Sequence, residues 1–157
     1  MSVNIWFRFS LLAALFLSHH SYAGGVLSLP RVELSISPLG RLPELVVENK
    51  GDGPLYLEVR QQLLTNPGSL PERLVDVGNT ESPSLLVLPA RLILGPGQKR
   101  NMQLHVLSQP TKTQAWRITF RPQQNVHVVS TEVTSPRVPL RLSIGYGVVI
   151  YQTGSQS

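Results

Sequence analysis

The side chains that could carry chemistry are few and lie far apart in the sequence. The chain has 157 residues, with four histidines and no cysteine. The lack of cysteine excludes a disulfide framework, thiolate zinc sites, iron–sulfur clusters and thiol catalysis. His105 and His127 stand alone, without a second histidine at the spacing that a metal site needs. We therefore expect no metal ion and no cofactor.

Motifs of nucleophilic or phosphate chemistry are also missing from the sequence. There is no G-x-S-x-G motif and no Walker loop. The Asp and Glu residues are scattered, without a pair suited to glycoside hydrolysis. Gly145-Tyr146-Gly147 lies within a predicted strand and not before a helix, which is typical of a bulge or bend rather than a phosphate site. We predict that the protein is not an enzyme.

Arginine is the chemically versatile residue that the chain has in excess. There are 14 Lys and Arg residues against 9 Asp and Glu, and 11 of the 14 are Arg. They are spread along the chain without the clustering and interleaved aromatics of a nucleic-acid surface, so we predict no nucleic-acid partner. A guanidinium binds a carboxylate through two parallel hydrogen bonds, which makes carboxylates the more suitable ligands.

The first 23 residues have the layout of a secretory signal peptide. Arg8 supplies the positive charge, residues 9–17 form a short apolar run, and Ser21-Tyr22-Ala23 is a small-x-small cleavage site. The run is shorter than the roughly 20 residues of a transmembrane helix. The alternative is a buried N-terminal helix. We predict a cleaved signal at residues 1–23, a periplasmic location, and one domain over residues 24–157 without a membrane span.

The rest of the chain shows the period-two alternation of β-strands. Val32, Leu34 and Ile36 share one predicted face, and Pro30 marks an edge, a start or a bend. The predicted strands are 26–37, 45–48, 55–64, 85–88 with 91–94 following it, 101–106, 115–121 and 138–151. This pattern predicts an all-β fold, an immunoglobulin-like seven-stranded β-sandwich.

The segments between these strands are rich in turn-forming residues. Asn49 to Pro54 contains two glycines and predicts a tight turn, with a hairpin between the strands on either side. Residues 66–84 are polar and proline-rich, which predicts a long connection. Residues 123–137 predict a second long polar loop.

Four segments, in order, resemble the N-terminal domain of the periplasmic pilus-assembly chaperones, the PapD-like group. They are 31–34 (RVEL), 46–55 (VVENKGDGPL), 87–99 (VLPARLILGPGQK) and 115–122 (AWRITFRP). The resemblance implies an immunoglobulin-like domain that binds pilus subunits by donor-strand complementation. In that mechanism the chaperone lends a strand to a subunit whose own fold lacks one.

The resemblance also implies roles for particular residues. The donor strand would present Val138, Leu140, Leu142 and Ile144, which alternate along the last predicted strand. The alternative is that these side chains pack only in the protein's own core. Two basic residues would hold the subunit's terminal carboxylate: Arg31 and Arg141, with Arg117 as a further candidate for the second. Gly145-Tyr146-Gly147 stands where the main group has lysine, so the chain is more similar to atypical groups of these chaperones.

Partners and alternatives follow from the same resemblance. It implies pilin or fimbrial subunits as partners, and an outer-membrane usher as a further candidate. Members of the family have two immunoglobulin-like domains, and residues 25–152 resemble the first. The alternative function is a structural pilus subunit or adhesion domain with this fold. A subunit would need a polymerising N-terminal extension, and residues 24–29 are too short for one.

Overall fold

A computed structural model describes residues 24–123 and 145–155 of the chain. Within them, ten strands form two sheets that enclose one hydrophobic core. The strands are β1 (Leu27–Ser28), β2 (Glu33–Ile36), β3 (Leu45–Asn49), β4 (Leu55–Leu64), β5 (Leu74–Asp76), β6 (Leu85–Leu88), β7 (Arg91–Leu94), β8 (Lys99–Val106), β9 (Gln114–Pro122) and β10 (Tyr146–Gln152). The predicted β-sandwich is confirmed.

The two sheets divide the strands unequally. One has the order β1-β3-β8-β6, and the other has the order β2-β10-β9-β4-β5, with β7 also paired to β4. Every pairing is antiparallel except that of β10 with β2, which is parallel. Ten segments replace the seven expected because two predicted strands are divided at prolines and β5 is additional.

Two prolines mark points where the chain passes from one sheet to the other within a predicted strand. Before Pro30, β1 pairs with β3 in the four-stranded sheet, and after it β2 pairs with β10 in the other sheet. Around Pro89 the same change occurs between β6 and β7. A proline has no N–H to continue a strand ladder. The prediction of one continuous strand at 26–37 is therefore wrong, and of the three alternatives for Pro30 (an edge, a start or a bend) the structure shows a bend.

The division at Pro30 also changes which side chains of this region are buried. Leu34 and Ile36 are buried, as the alternation predicts. Val32, predicted on the same face, is 61% exposed because β2 begins only at Glu33.

The turn at residues 49–54 joins the two sheets. β3 pairs with β1 and β8, whereas β4 pairs with β5, β7 and β9 in the other sheet. The predicted hairpin is therefore wrong. Turn-forming residues indicate that the chain reverses, but they do not determine the sheet that the second strand joins.

A buried asparagine holds this turn from the inside. Asn49 is fully buried, and its Oδ1 accepts hydrogen bonds of 3.0 Å from the N–H groups of Val26 and Gly51. Its Nδ2 donates to three backbone carbonyls at 2.8 to 3.1 Å: Gly53, Leu94 and Gly95. One side chain thus connects the start of β1, the turn and the end of β7.

The centre of the six-stranded sheet follows the predicted alternation closely. Leu55, Leu57 and Val59 of β4 are buried, and the core-facing side chains of β9 are completely inaccessible: Trp116, Ile118 and Phe120. β4 and β9 pair over eight positions, and β9 pairs on its other side with all of β10.

The predicted connection at residues 66–84 contains secondary structure of its own. β5 pairs with the end of β4, and a short 3-10 helix at Val77–Asn79 follows it. Arg60 of β4 binds Asp76 of β5 through two hydrogen bonds of 2.7 and 2.8 Å. These bonds hold the pKa of the Asp76 carboxyl below its usual value.

In the part of the chain that the structure describes, no helix is long and apolar enough to cross a membrane.

Candidate functional site

β10 is covered unequally along its length. β9 pairs with all of it, whereas β2 pairs with it only from Val149 onward. The Val149 N–H donates to the Val32 carbonyl at 2.9 Å, so the N–H of Gly147, two residues earlier, points to the same side. Among the described residues, no strand lies against β10 there. We call this stretch, residues 146–148, the open edge; such an edge can pair with a further strand.

The face of β10 that meets the core becomes exposed to solvent at the open edge. Val148 and Ile150 are completely buried. Tyr146 shares their face and lies opposite Phe120, but it is 44% exposed. Among the described residues, a Cβ atom placed on Gly147 would meet no atom within 4 Å, so the other face has space for a side chain there.

Arg31 lies next to the point where β2 begins to cover β10. The residue after it, Val32, accepts the hydrogen bond from Val149. Arg31 is exposed and borders a groove of about 400 Å³. The groove is lined by Pro30, Arg31, Arg41, Leu42, Glu44 and Val46. This basic groove is therefore adjacent to the open edge.

Arg41 brings a second guanidinium to the basic groove, and sequence reasoning missed it. It lies in the exposed loop between β2 and β3. Within residues 24–123 and 145–155, neither Arg31 nor Arg41 forms an ion pair. Glu44 adds a carboxylate to the lining, so the two arginines leave the groove with a positive balance that favours an anionic ligand. An arginine in a loop rich in proline and glycine was the only available sequence signal.

Two other arginines are already bound to carboxylates of the protein itself. Arg117, a candidate for the second basic anchor, donates two hydrogen bonds to Glu72. Arg60 is held by Asp76. A guanidinium with an internal carboxylate partner must exchange that partner to bind an external one, whereas Arg31 and Arg41 need no such exchange.

Five of the predicted site residues lie outside the described residues. They are Val138, Arg141, Leu140, Leu142 and Ile144, and they fall between Gln123 and Gly145. Their roles stay predictions, as does the signal peptide at residues 1–23. The structure places Arg31 beside the open edge. The open edge follows these five residues in the sequence.

A second and larger cleft lies at the opposite side of the six-stranded sheet. It has a volume of about 700 Å³ beside β4 and β7, and its charged side chains are Glu58, Arg91 and Arg100. Glu58 accepts a hydrogen bond of 3.1 Å from Gln123.

In the described part of the chain, no group of three or more His, Cys, Asp or Glu side chains could hold a metal ion.

Comparisons with known proteins find similarity at the level of structure. No family model matches the chain, and no curated protein matches it either. CfaA, a class 5 fimbriae chaperone, has a TM-score of 0.65 at 21% identity over 83% of this chain and 57% of its own. A chain from the chaperone–tip adhesin complex of CFA/I fimbriae biogenesis has a TM-score of 0.64 at 21% identity over 82% of this chain and 58% of its own.

A third solved structure gives a similar result. It is a chain of the CsuC–CsuE chaperone–tip subunit pre-assembly complex from archaic chaperone-usher Csu pili of Acinetobacter baumannii, with a TM-score of 0.57 at 14% identity. The match covers 85% of this chain and 58% of that one. The chain therefore spans less than two thirds of the length of these relatives. It has the immunoglobulin-like fold that fimbrial chaperones share.

Proposed function

We propose that the protein is a periplasmic chaperone that binds pilus or fimbrial subunits by donor-strand complementation during pilus assembly. The observation that carries the proposal is the open edge of β10, next to the basic groove, in a fold shared with fimbrial chaperones. Removal of the signal at residues 1–23 would deliver the protein to the periplasm. An outer-membrane usher is the next candidate partner in this proposal.

The edge would contribute backbone pairing to the complex. Gly147 offers an N–H and a carbonyl to an incoming strand, as β-augmentation requires. The donor residues would contribute burial of Val138, Leu140, Leu142 and Ile144 in the subunit's open core. A fully buried aliphatic side chain stabilises by about 1.5–3 kcal/mol relative to an exposed one. A backbone hydrogen bond contributes about 0.5–1.5 kcal/mol net, so the four side chains together outweigh the two that Gly147 offers.

The basic groove would hold the subunit's terminal carboxylate. Arg31 is the first anchor, because its guanidinium has no internal partner among the described residues and it lies at the open edge. Arg141 is the predicted second anchor, and Arg41 competes with it because it lines the same groove as Arg31. Bidentate pairing of guanidinium with carboxylate adds both energy and orientation.

Periplasmic co-expression with pilus subunits from the genome of its source tests this function. We expect the subunit to accumulate and to co-purify with the full chain, whereas the subunit alone is degraded. Arg31→Ala should weaken the complex about tenfold to a hundredfold, since it removes a charge-assisted hydrogen-bonded pair. Retained subunit is measured by quantitative blotting after affinity purification.

Two matched variants complete this experiment. Arg73→Ala removes an exposed arginine outside the groove and should leave subunit retention unchanged. Comparing Arg41→Ala with Arg141→Ala identifies the second anchor. Equal degradation of the subunit with and without the protein would overturn the proposed function, and recovery of the protein in shed fibres would favour the structural-subunit alternative.

A further inference from the structure

A buried polar cluster holds the end of β10 that lies away from the open edge. Gln152 is almost completely buried, and its Oε1 lies 2.5 Å from the hydroxyl of Ser84. Its Nε2 donates to the Ser108 carbonyl at 2.9 Å. Ser84 precedes β6 and Ser108 follows β8, so both belong to the side of the four-stranded sheet. Gln152 therefore ties β10 to the opposite sheet.

Gln114 completes this cluster from the neighbouring strand. It is the cross-strand partner of Gln152, and its amide lies 2.6 Å from the Ser84 hydroxyl. Both contacts of the Ser84 hydroxyl are to an amide oxygen, and because the hydroxyl has one proton it donates to one of the two amides at a time. Ser84 and Gln152 are buried, and Gln114 is half-buried at the edge of the cluster.

The cluster distinguishes the observed register of β10 from the registers in which the strand is shifted by two residues along β9. A shift of two residues keeps every side chain on its own face, so alternation alone does not forbid it. Val148 and Ile150 are both β-branched and apolar, and each can occupy the other's place. Gln152 is different, because its amide finds partners only at the end of the sandwich.

Shifts in both directions are blocked at Gln152. In one direction it moves to the place of Ile150, opposite the fully buried Trp116, and loses its hydrogen bonds. In the other it moves to the place of Gly154. A Cβ atom there would lie 2.6 Å from the backbone of Thr111 and Lys112. The first shift costs polar desolvation, and the second is sterically excluded.

We propose that Gln152 is a positioning residue that sets the register of β10 through Ser84 and Ser108. Its consequence for binding rests on the proposed function. If β10 shifts by two residues, the donor residues that precede it shift with it and face different positions of the subunit. Gln152 touches neither the open edge nor the basic groove in the contacts described, so it acts only through the strand.

Engineered disulfides measure the register directly, because the chain has no cysteine of its own. Thr119 and Gly147 are directly opposite, and Gly147 has room for a side chain. The pair Thr119→Cys with Gly147→Cys therefore reports the native register. The pair Thr119→Cys with Val149→Cys reports the shift by two residues. In the native register that second pair is diagonal, about 7–8 Å apart, and is too far for a disulfide.

We expect the native pair to be the one that oxidises when Gln152 is intact. With Gln152→Leu, the core-facing row of β10 becomes uniformly apolar, and the shifted disulfide should increase about tenfold. Ser84→Ala is a milder second variant, in case Gln152→Leu does not fold, and should increase it less. A shifted disulfide that is equally abundant with and without Gln152 overturns the proposal.

Gln61→Leu is the matched control. Gln61 is also buried and bonds to Leu85 and Val87 of β6, so its loss should reduce stability without changing the register of β10. Subunit co-expression then separates the two proposals. If the wild-type chain protects no subunit, the proposed function fails, while the disulfides still test the register. If Gln152→Leu changes the register but protects the subunit fully, the link to binding fails.

Discussion

Changing Leu140 and Leu142 together to Arg should abolish subunit binding. In the proposed complex both side chains enter the apolar groove of the subunit, and each buried leucine contributes about 1.5–3 kcal/mol. The two arginines also place charges where no partner is available, which adds a desolvation cost. We expect affinity to fall about a thousandfold or more, so that a co-expressed subunit is degraded as if the protein were absent. Quantitative blotting of the periplasmic fraction measures this.

A matched control separates this effect from added charge. Leu70 is 92% exposed and Leu107 is 56% exposed. Changing both of these to Arg adds the same two charges at sites outside the open edge and the basic groove, and subunit protection should persist. Full protection by the Leu140→Arg, Leu142→Arg protein would show that these residues are not the donor side chains.

Replacing Asn49 with Ala should have the largest effect on the fold itself. The change removes the side-chain partner of two N–H groups and three carbonyls in and around this partly buried turn. We expect the free energy of unfolding to fall by on the order of 3 kcal/mol. That is a large part of the roughly 5–15 kcal/mol by which a domain is stable. Urea denaturation followed by circular dichroism measures the loss.

Two further variants sharpen this test. Asn49→Asp keeps the oxygen that faces Val26 and Gly51, but it removes the Nδ2 donors and turns a carboxylate toward three carbonyls. It should be at least as destabilising at neutral pH. Asn101→Ala, at an exposed position of β8, should change little. Equal stabilities of the Asn49→Ala and Asn101→Ala proteins would contradict the role of Asn49.

The strands of the central sheet were predictable because their signal is local. In β4 and β9 the alternation of apolar and polar side chains reports directly which face meets the core. Leu55, Leu57, Trp116 and Ile118 are buried for this reason. The bounds of β4 are those predicted, since turn residues limit the strand at its start.

Strand pairing was not predictable from the same local signals. The residues at 49–54 form a strong turn in either a hairpin or a passage between sheets. In the structure Asn49 holds the passage between the sheets, and its carbonyl partners at Leu94 and Gly95 lie 45 and 46 residues away. Val32 was misassigned for a related reason: the alternation continues through Pro30, but the strand does not.

The site was predictable only where a family pattern covered it. The family resemblance predicted Arg31 as an anchor for a carboxylate, and the structure places this residue beside the open edge. Arg41 and Gln152 carry no such pattern. Arg41 is a loop arginine, and the partner of Gln152 at Ser84 is 68 residues distant. Both become visible only when the two sheets are assembled.

Amide hydrogen exchange at Gly147, with and without a bound subunit, tests strand donation most directly. In the free protein this N–H points away from β9 toward the open edge, whereas the Val148 N–H points to β9 and serves as an internal reference. We expect residue-resolved NMR to show that binding slows exchange at Gly147 by at least about tenfold, with little change at Val148. A complex that forms while Gly147 exchanges at its free rate would contradict pairing at this edge.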